Sequence, residues 1–215
     1  MAKRAPLAGR VEAKPADQYH HRRLRRALLD AALALVGSDG AQALSLRAVA
    51  RRVGVTASAA YTYFRDRAAL LAAAAVEGLG VLQQEMVAAA AAARAPAERL
   101  EAIGVAYVRF AAQHADYFRL LSAPELADKR RHPELLAAYD DAFGVLLGAI
   151  QECQRAGVVH GGEPRRLAVA AWAAVHGMAW LIVDGQVVVS RVDGDAAQSA
   201  RNVMRVLFKG LEARR

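Results

Sequence analysis

Gly54 lies between two short segments, and each segment follows a hydroxyl residue suited to capping a helix. Ser45 precedes LRAVARRV, and Thr56 precedes a segment that runs to about Phe64. A serine or threonine hydroxyl can accept one of the free backbone N–H groups at the start of a helix. Glycine permits the left-handed backbone that ends a helix and turns the chain sharply. The spacing therefore predicts two short helices joined by a tight turn.

The net charge of the chain is confined to the N-terminal part that contains these two helices. Residues 1–67 carry 13 Lys and Arg against 5 Asp and Glu, whereas residues 68–215 carry 16 of each sign. A basic module joined to an electrically balanced one indicates that the first part meets a polyanion. Two short helices joined by a tight turn form a helix-turn-helix, which presents its second helix to the major groove of DNA. The sequence therefore predicts a DNA-binding head.

The fold class predicted for the whole chain is all-α, because alanine dominates the apolar residues and no strand-like alternation persists. Residues 1–18 contain two prolines and no apolar period, which predicts a flexible basic arm. An apolar stripe from Leu24 to Leu35 predicts a first helix from about Arg22. VVVS at 187–190 has the composition of a short extended segment. Six more helices are predicted after residue 67, over residues 68–93, 96–114, 116–122, 133–156, 164–183 and 195–212. With the first helix and the two capped helices, the total is about nine.

The segment from about Tyr19 to Leu71 resembles the DNA-binding domain of the TetR family of bacterial transcription regulators. The resemblance rests on LLDAALALV, on LRAVARRVGVT, and on Tyr61-x-Tyr63-Phe64 followed by Arg67 and Leu70. Near the C-terminus, Trp172-x-x-x-His176-Gly177 with Asp184-Gly185 resembles a subgroup whose regulatory domain is called WHG. The implied division is an arm over residues 1–18, a helix-turn-helix domain over 19–71, and a helical effector-binding and dimerisation domain over 72–215.

The resemblance also implies partners and a mode of action. A homodimer forms through the last two helices and places two recognition helices in successive major grooves of a palindromic operator. A small molecule enters the helical domain, shifts the connecting helix and releases the protein, which then acts as a cytoplasmic repressor. An activator would use the same DNA contacts, so the sign of regulation stays open. The rival interpretation is a ligand-binding or enzymatic helical protein with a non-functional head.

The residues expected to contact DNA lie in and around the two short helices. Tyr61 and Tyr63 match family positions whose hydroxyls bond phosphates, although either ring could instead belong to the core. Arg47 is the candidate for a guanine contact, with a phosphate contact as the alternative. The small recognition-helix side chains predict weak base reading and reliance on DNA shape. The full predicted set is Ser45, Arg47, Thr56, Ala57, Ser58, Ala59, Tyr61, Thr62, Tyr63 and Arg67.

A ligand pocket is predicted where aromatic side chains meet the hydrophobic helix around Trp172 and His176. These two residues and Trp180 recur at one-turn spacing, so they share one face of that helix. The alternative is a purely structural role, in which the aromatic residues fill the core and His176 forms a hydrogen bond with a backbone carbonyl. The predicted lining set is Phe110, His114, Phe118, Tyr139, Phe143, Trp172, His176 and Trp180.

Other chemistry receives little support from the sequence. It contains no P-loop, no G-x-S-x-G and no G-x-G-x-x-G, and its histidines lack metal-ligand spacing, so no metal, cofactor or catalytic residue is predicted. Cys153, the single cysteine, is either a small apolar filler or a redox sensor. The uncharged run from Leu167 to Val183 falls short of the roughly 20 apolar residues of a spanning helix, so no membrane partner is predicted.

Overall fold

The computed structural model describes residues 15–40, 43–186 and 195–211, and within these ranges the chain forms helices and no strands. The all-α prediction is therefore confirmed, with nine α-helices in the described ranges. Two short 3₁₀ helices, Pro124–Leu126 and Lys129–Arg131, lie between the sixth and seventh helices. The α-helices are α1 Pro15–Asp39, α2 Leu46–Val53, α3 Ala57–Tyr61, α4 Arg67–Ala92, α5 Pro96–Gln113, α6 Ala115–Leu120, α7 Pro133–Arg155, α8 Pro164–Val183 and α9 Ala196–Leu211.

Helix α1 begins earlier than the sequence predicted. It starts at Pro15, inside the segment expected to be a flexible arm, and ends at Asp39. Proline is well suited to the first turn of a helix because its missing N–H would have no partner there. The rest of the predicted arm, residues 1–14, lies outside the described residues, as does the VVVS segment at 187–190. The buried stripe of α1 is Leu28, Leu29, Ala32, Leu35 and Val36.

Helices α2 and α3 form the predicted pair, and α4 continues from them as one long helix. The backbone at Gly54 is left-handed, with φ of 79°, so the turn needs the residue that the sequence places there. Helix α3 is shorter than predicted and ends at Tyr61. Asp66 caps α4 by accepting a hydrogen bond from the Ala69 N–H at 2.8 Å. Since α4 runs through residue 71 without a break, the expected domain boundary at that point stays a proposal.

The helical body is built around α5, which packs against α4, α7, α8 and α9. Two glycines permit close helix approaches there. A Cβ atom on Gly104 would lie 2.5 Å from Met204 Sδ, and one on Gly78 would lie 2.5 Å from Tyr117 Cδ1. Cys153 is fully buried, and burial raises the pKa of its thiol, which suits the filler interpretation. By length and composition alone, α4 and α8 are long enough to cross a membrane, although core helices meet the same criteria.

Candidate nucleic-acid interface and ligand cavity

Both predicted caps are formed in the head. The Ser45 hydroxyl accepts a hydrogen bond from the Ala48 N–H at 3.1 Å, and the Thr56 hydroxyl accepts one from the Ala59 N–H at 3.3 Å. Ser45 and Thr56 are themselves exposed. The caps therefore fix the N-termini of α2 and α3 at the surface, where the free N–H groups and the helix dipole favour an anion such as phosphate.

The outer face of α2 is cationic and carries no compensating acid. Arg47, Arg51 and Arg52 are exposed, and residues 43–65 contain no aspartate or glutamate. Among the described residues, none of the three makes an ion pair or a side-chain hydrogen bond with the protein. Three guanidinium groups that remain available to solvent give this face a positive potential suited to the DNA backbone.

The exposed side of α3 is formed by Ser58, Tyr61 and Thr62, which recur at helical spacing. Tyr61 is 51% exposed, whereas Tyr63 is half-buried and packs against the core. The Thr62 hydroxyl donates to the Ser58 carbonyl oxygen at 3.2 Å, and the Thr56 and Ser58 hydroxyl oxygens lie 3.1 Å apart. Since local bonds already engage these hydroxyls, α3 offers few free groups for base contacts. Ala57 and Ala59 are half-buried beside this side.

A cavity of about 610 Å³ lies in the helical body. Its lining comes from all helices from α4 to α9 and from the segment between α6 and α7, and apolar side chains dominate it. Such a volume and lining are typical of small-molecule sites. Five residues of the predicted set line it, namely Phe118, Tyr139, Phe143, Trp172 and His176.

Three residues of the predicted lining set do not line the cavity, so the predicted set is corrected at these positions. Phe110 is fully buried, with its ring centroid 5.0 Å from that of His114. His114 Nε2 lies 3.6 Å from the carboxylate of Glu85, outside the cavity. Trp180 lies behind the wall, with its ring 5.0 Å from Phe118. All three therefore fill or support the core, which is the alternative given above for the aromatic residues.

Tyr107 is the polar residue of the cavity that the predicted set omitted. Its hydroxyl oxygen lies 2.7 Å from His176 Nδ1 and accepts a hydrogen bond from Trp172 Nε1–H at 3.2 Å. Trp180 Nε1–H donates to His176 Nε2 at 3.1 Å. Burial lowers the pKa of His176 and raises that of Tyr107, and it raises the pKa of Tyr139 to about 12. Burial therefore favours the neutral form of His176, and both of its ring nitrogens meet side chains instead of a backbone carbonyl.

Comparison with known proteins agrees with this arrangement of head and cavity. Residues 28–74 match the model of the bacterial regulatory proteins of the tetR family, and residues 100–207 match that of the tetracyclin repressor-like C-terminal domain. The second match alone covers half of the chain. The chain belongs to the TetR family. The two matched ranges correspond to the head that carries α2 and α3 and to the helical body that contains the cavity.

Individual proteins similar to this TetR-family chain include a curated regulator and two solved structures. The regulator BetI of Rhizobium meliloti is 40% identical over 79 residues, which cover 37% of this chain and 39% of BetI. A protein from Rhodococcus sp. RHA1 has a TM-score of 0.76 and 31% identity, covering 91% of this chain and 98% of its own. The regulator FadR of Bacillus subtilis, solved with stearoyl-CoA, has a TM-score of 0.71 and 16% identity, covering 87% of this chain and 99% of its own. At that identity the likeness shows the fold alone.

Within this TetR-family head, the structure gives Arg67 a contact different from the predicted phosphate. Its Nε–H donates to the Leu44 carbonyl oxygen at 2.8 Å, and its Nη1 forms an ion pair with Glu125. Leu44 directly precedes the Ser45 cap, and Glu125 lies in the segment between α6 and α7. Arg67 therefore links the start of α2 to the helical body, and its contact with a DNA phosphate stays a prediction.

We expect Arg67→Met to lower thermal stability without changing the salt dependence of DNA binding. A phosphate contact would lower the slope of log K against log salt by about 1. An internal ion pair predicts instead that Arg67→Met and Glu125→Gln are non-additive, with a coupling of about 1 kcal/mol in a double-mutant cycle. Fluorescence anisotropy at several salt concentrations and thermal denaturation measure the two quantities. A reduced slope with additive losses of stability would instead assign Arg67 to a DNA phosphate.

Proposed function

We propose that this protein is a homodimeric, sequence-specific DNA-binding repressor that an apolar small molecule releases from its operator. The observation that carries the proposal is the acid-free face of α2 and α3, made cationic by the arginines of α2, joined to a body with a cavity of about 610 Å³. We place the head in residues 19–71 and the effector-binding and dimerisation domain in residues 72–215. The activity is binding without catalysis, in the cytoplasm, where operator DNA lies.

An exposed apolar stripe on α8 supports dimerisation through the last two helices. Ala170, Ala173, Gly177 and Leu181 are exposed at helical spacing, and Val206 on the neighbouring α9 is 74% exposed. Contiguous apolar surface of this kind marks an interaction site, and small side chains let helix backbones approach closely. A second copy presenting the same stripe would cover it in a two-fold interface.

The contact between Arg67 and Glu125 supports a route from the cavity to the DNA-binding head. Pro124, which precedes Glu125, lines the cavity, and Arg67 holds the Leu44 carbonyl beside the α2 cap. A ligand that displaces the segment around Pro124 would therefore move a contact of α2. Because α4 begins at Arg67, the same displacement reaches the connecting helix. This chain of contacts would couple the cavity to the DNA-binding head through the segment between α6 and α7.

Arg47 and Tyr61 are expected to contribute to DNA binding in different ways. Arg47→Ala should reduce discrimination at one guanine by about 1–3 kcal/mol, since an arginine that reads a guanine in the major groove carries sequence information. Tyr61→Phe should weaken binding to all duplexes alike, by roughly tenfold, because it removes a phosphate hydrogen bond. Anisotropy titrations with single-base operator variants measure both effects.

The matched control is Arg94→Ala, which removes the same charge beyond the far end of α4. At 1.5 Å per residue, α4 holds that position roughly 40 Å from the head. Arg94→Ala should therefore leave both affinity and base preference unchanged. Equal losses at Arg94 and Arg47 would mean that overall charge, not base reading, governs binding. A uniform loss from Arg47→Ala would assign that residue to a phosphate.

The proposed function is tested by selecting duplexes from a random pool with the purified protein. We expect an inverted repeat whose half-sites lie about one helical turn apart, or slightly more, as two symmetric heads require. Specific binding should exceed binding to unselected DNA by a factor of about 10³ or more at physiological salt. Selection that enriches no motif at moderate salt would refute the proposal.

A further inference from the structure

The inner wall of the cavity carries a chain of hydrogen bonds whose directions can be assigned. An indole N–H only donates, so Trp180 Nε1–H, 3.1 Å from His176 Nε2, requires that nitrogen to be an unprotonated acceptor. The hydrogen of the neutral imidazole must then lie on Nδ1. His176 Nδ1–H therefore donates to the Tyr107 hydroxyl oxygen, 2.7 Å away.

The Tyr107 hydroxyl has one hydrogen of its own to donate. Its oxygen already accepts from His176 Nδ1–H and from Trp172 Nε1–H. Among the described residues, no acceptor lies within hydrogen-bond distance of the Tyr107 O–H. Tyr107 is 9% exposed and lines the cavity. A buried donor without an acceptor is costly, so this hydroxyl is suited to an acceptor that enters the cavity.

Tyr139 offers an internal contrast within the same cavity. Its O–H donates to the Leu121 carbonyl oxygen at 3.3 Å, so its hydrogen is already used. Burial raises the pKa of both phenols, so both remain protonated donors at neutral pH. The two tyrosines thus share size and a place in the cavity lining, although Tyr107 is buried and Tyr139 half-buried, and they differ in whether the hydroxyl hydrogen has an acceptor in the protein.

Charged residues in the lining favour an anion elsewhere on the ligand. Lys129 Nζ lies 4.8 Å from the Tyr139 ring centroid, and Arg165 Cζ lies 5.1 Å from that of Phe143. Neither cation forms an ion pair among the described residues, and the one acidic residue of the lining, Asp140, is exposed. Two cations against one acid favour a single negative charge on the ligand.

We propose that the effector is an apolar monoanion that also carries a neutral carbonyl-type oxygen, which accepts the hydroxyl hydrogen of Tyr107. Its charged end lies at Lys129 and Arg165, and its apolar body fills the space between. A carboxylate beside Tyr107 is disfavoured because no cation compensates it there. This inference rests on the proposed function in taking the cavity as the effector site, but its test needs no DNA.

The test compares fatty acids with their keto analogues on the full-length protein without DNA. The probes are decanoate, dodecanoate and tetradecanoate, each paired with the acid bearing a ketone at the penultimate carbon. Binding is followed by tryptophan fluorescence, since Trp172 lines the cavity and Trp180 supports His176. We expect at least one keto acid to bind the wild-type protein about tenfold more tightly than its parent, because one buried hydrogen bond is gained.

Tyr107→Phe should abolish or reverse this preference, and the matched variant Tyr139→Phe should retain it. The quantity compared is the ratio of the affinities for the keto acid and for its parent acid within each variant. A general loss of affinity therefore does not affect the result. A lowered infrared stretching frequency of the bound ketone in the wild-type protein gives an independent readout if Tyr107→Phe fails to fold. The methyl ester of the preferred keto acid should bind about tenfold more weakly than the acid, and Lys129→Gln with Arg165→Gln should remove that difference.

Several outcomes would overturn the inference. These are no keto preference in the wild-type protein, the same preference in Tyr107→Phe, equal loss in both tyrosine variants, or no binding of any probe. An ester that binds as tightly as its acid would overturn the charged end. None of these results bears on DNA recognition, so failure here is distinguishable from failure of the proposed function.

Discussion

Replacing Ala173 by arginine is expected to leave the protein monomeric and to lower its operator affinity by about 100-fold or more. Ala173 lies in the middle of the exposed stripe on α8, between Ala170 and Gly177. A guanidinium there would be buried without a partner in the dimer, and the two-fold axis would bring two of them together. A monomer engages one half-site and loses the gain that comes from binding two linked sites. Analytical ultracentrifugation and anisotropy measure the two effects.

The control for this change is Ala137→Arg, which adds the same charge to an exposed position of α7. It should remain dimeric and bind DNA at least as well as the wild-type protein, because added positive charge favours non-specific binding. If Ala173→Arg also remained dimeric at micromolar concentration, the α8 stripe would not be the dimer interface.

Removing the ring of Phe118 is expected to cause the largest loss of stability. Phe118 is 1% exposed, and its ring centroid lies 6.1 Å from Tyr107, 5.3 Å from His176 and 5.0 Å from Trp180. Truncating a buried phenylalanine to alanine costs about 3–5 kcal/mol. The cavity already removes some neighbours of this ring, so we expect a value near 3 kcal/mol and a melting temperature lowered by on the order of 10 °C.

Phe143→Ala is the matched comparison, because Phe143 lines the same cavity but is half-buried. It should cost clearly less than Phe118→Ala in urea denaturation, since less of its surface leaves water on folding. Equal losses would show that Phe118 is no more central than the rest of the cavity wall, and the hydrogen-bond chain beside it would lack its packing support.

The head was predictable because its signals are local. Ser45, Gly54 and Thr56 act on backbone groups within a few residues, so their spacing alone predicts α2 and α3. The start of α1 at Pro15 was missed because the apolar stripe begins only at Leu24. The sequence of residues 15–23 has no apolar period, so it carries no signal of a helix.

The contacts of Arg67 and Tyr107 were not predictable, because they join distant parts of the chain. Glu125 lies 58 residues from Arg67, and His176 lies 69 residues from Tyr107. Helix α5 is buried on several sides, so periodicity does not tell which side meets a cavity. The predicted lining set contains Phe110 of that helix, although Tyr107, one turn earlier, lines the cavity. Only the packing of α5 against α8 distinguishes the two.

The most direct measurement of the central claim is a dimethyl sulfate footprint of the wild-type protein on its selected operator. This reagent methylates guanine N7, which faces the major groove. If α2 and α3 of a dimer enter two successive major grooves, protected guanines should fall in two symmetric patches about 10–10.5 base pairs apart, or slightly more. Arg47→Ala should remove protection at one guanine in each patch. Uniform reactivity of the guanines at saturating protein, or protection in a single patch, would contradict the account.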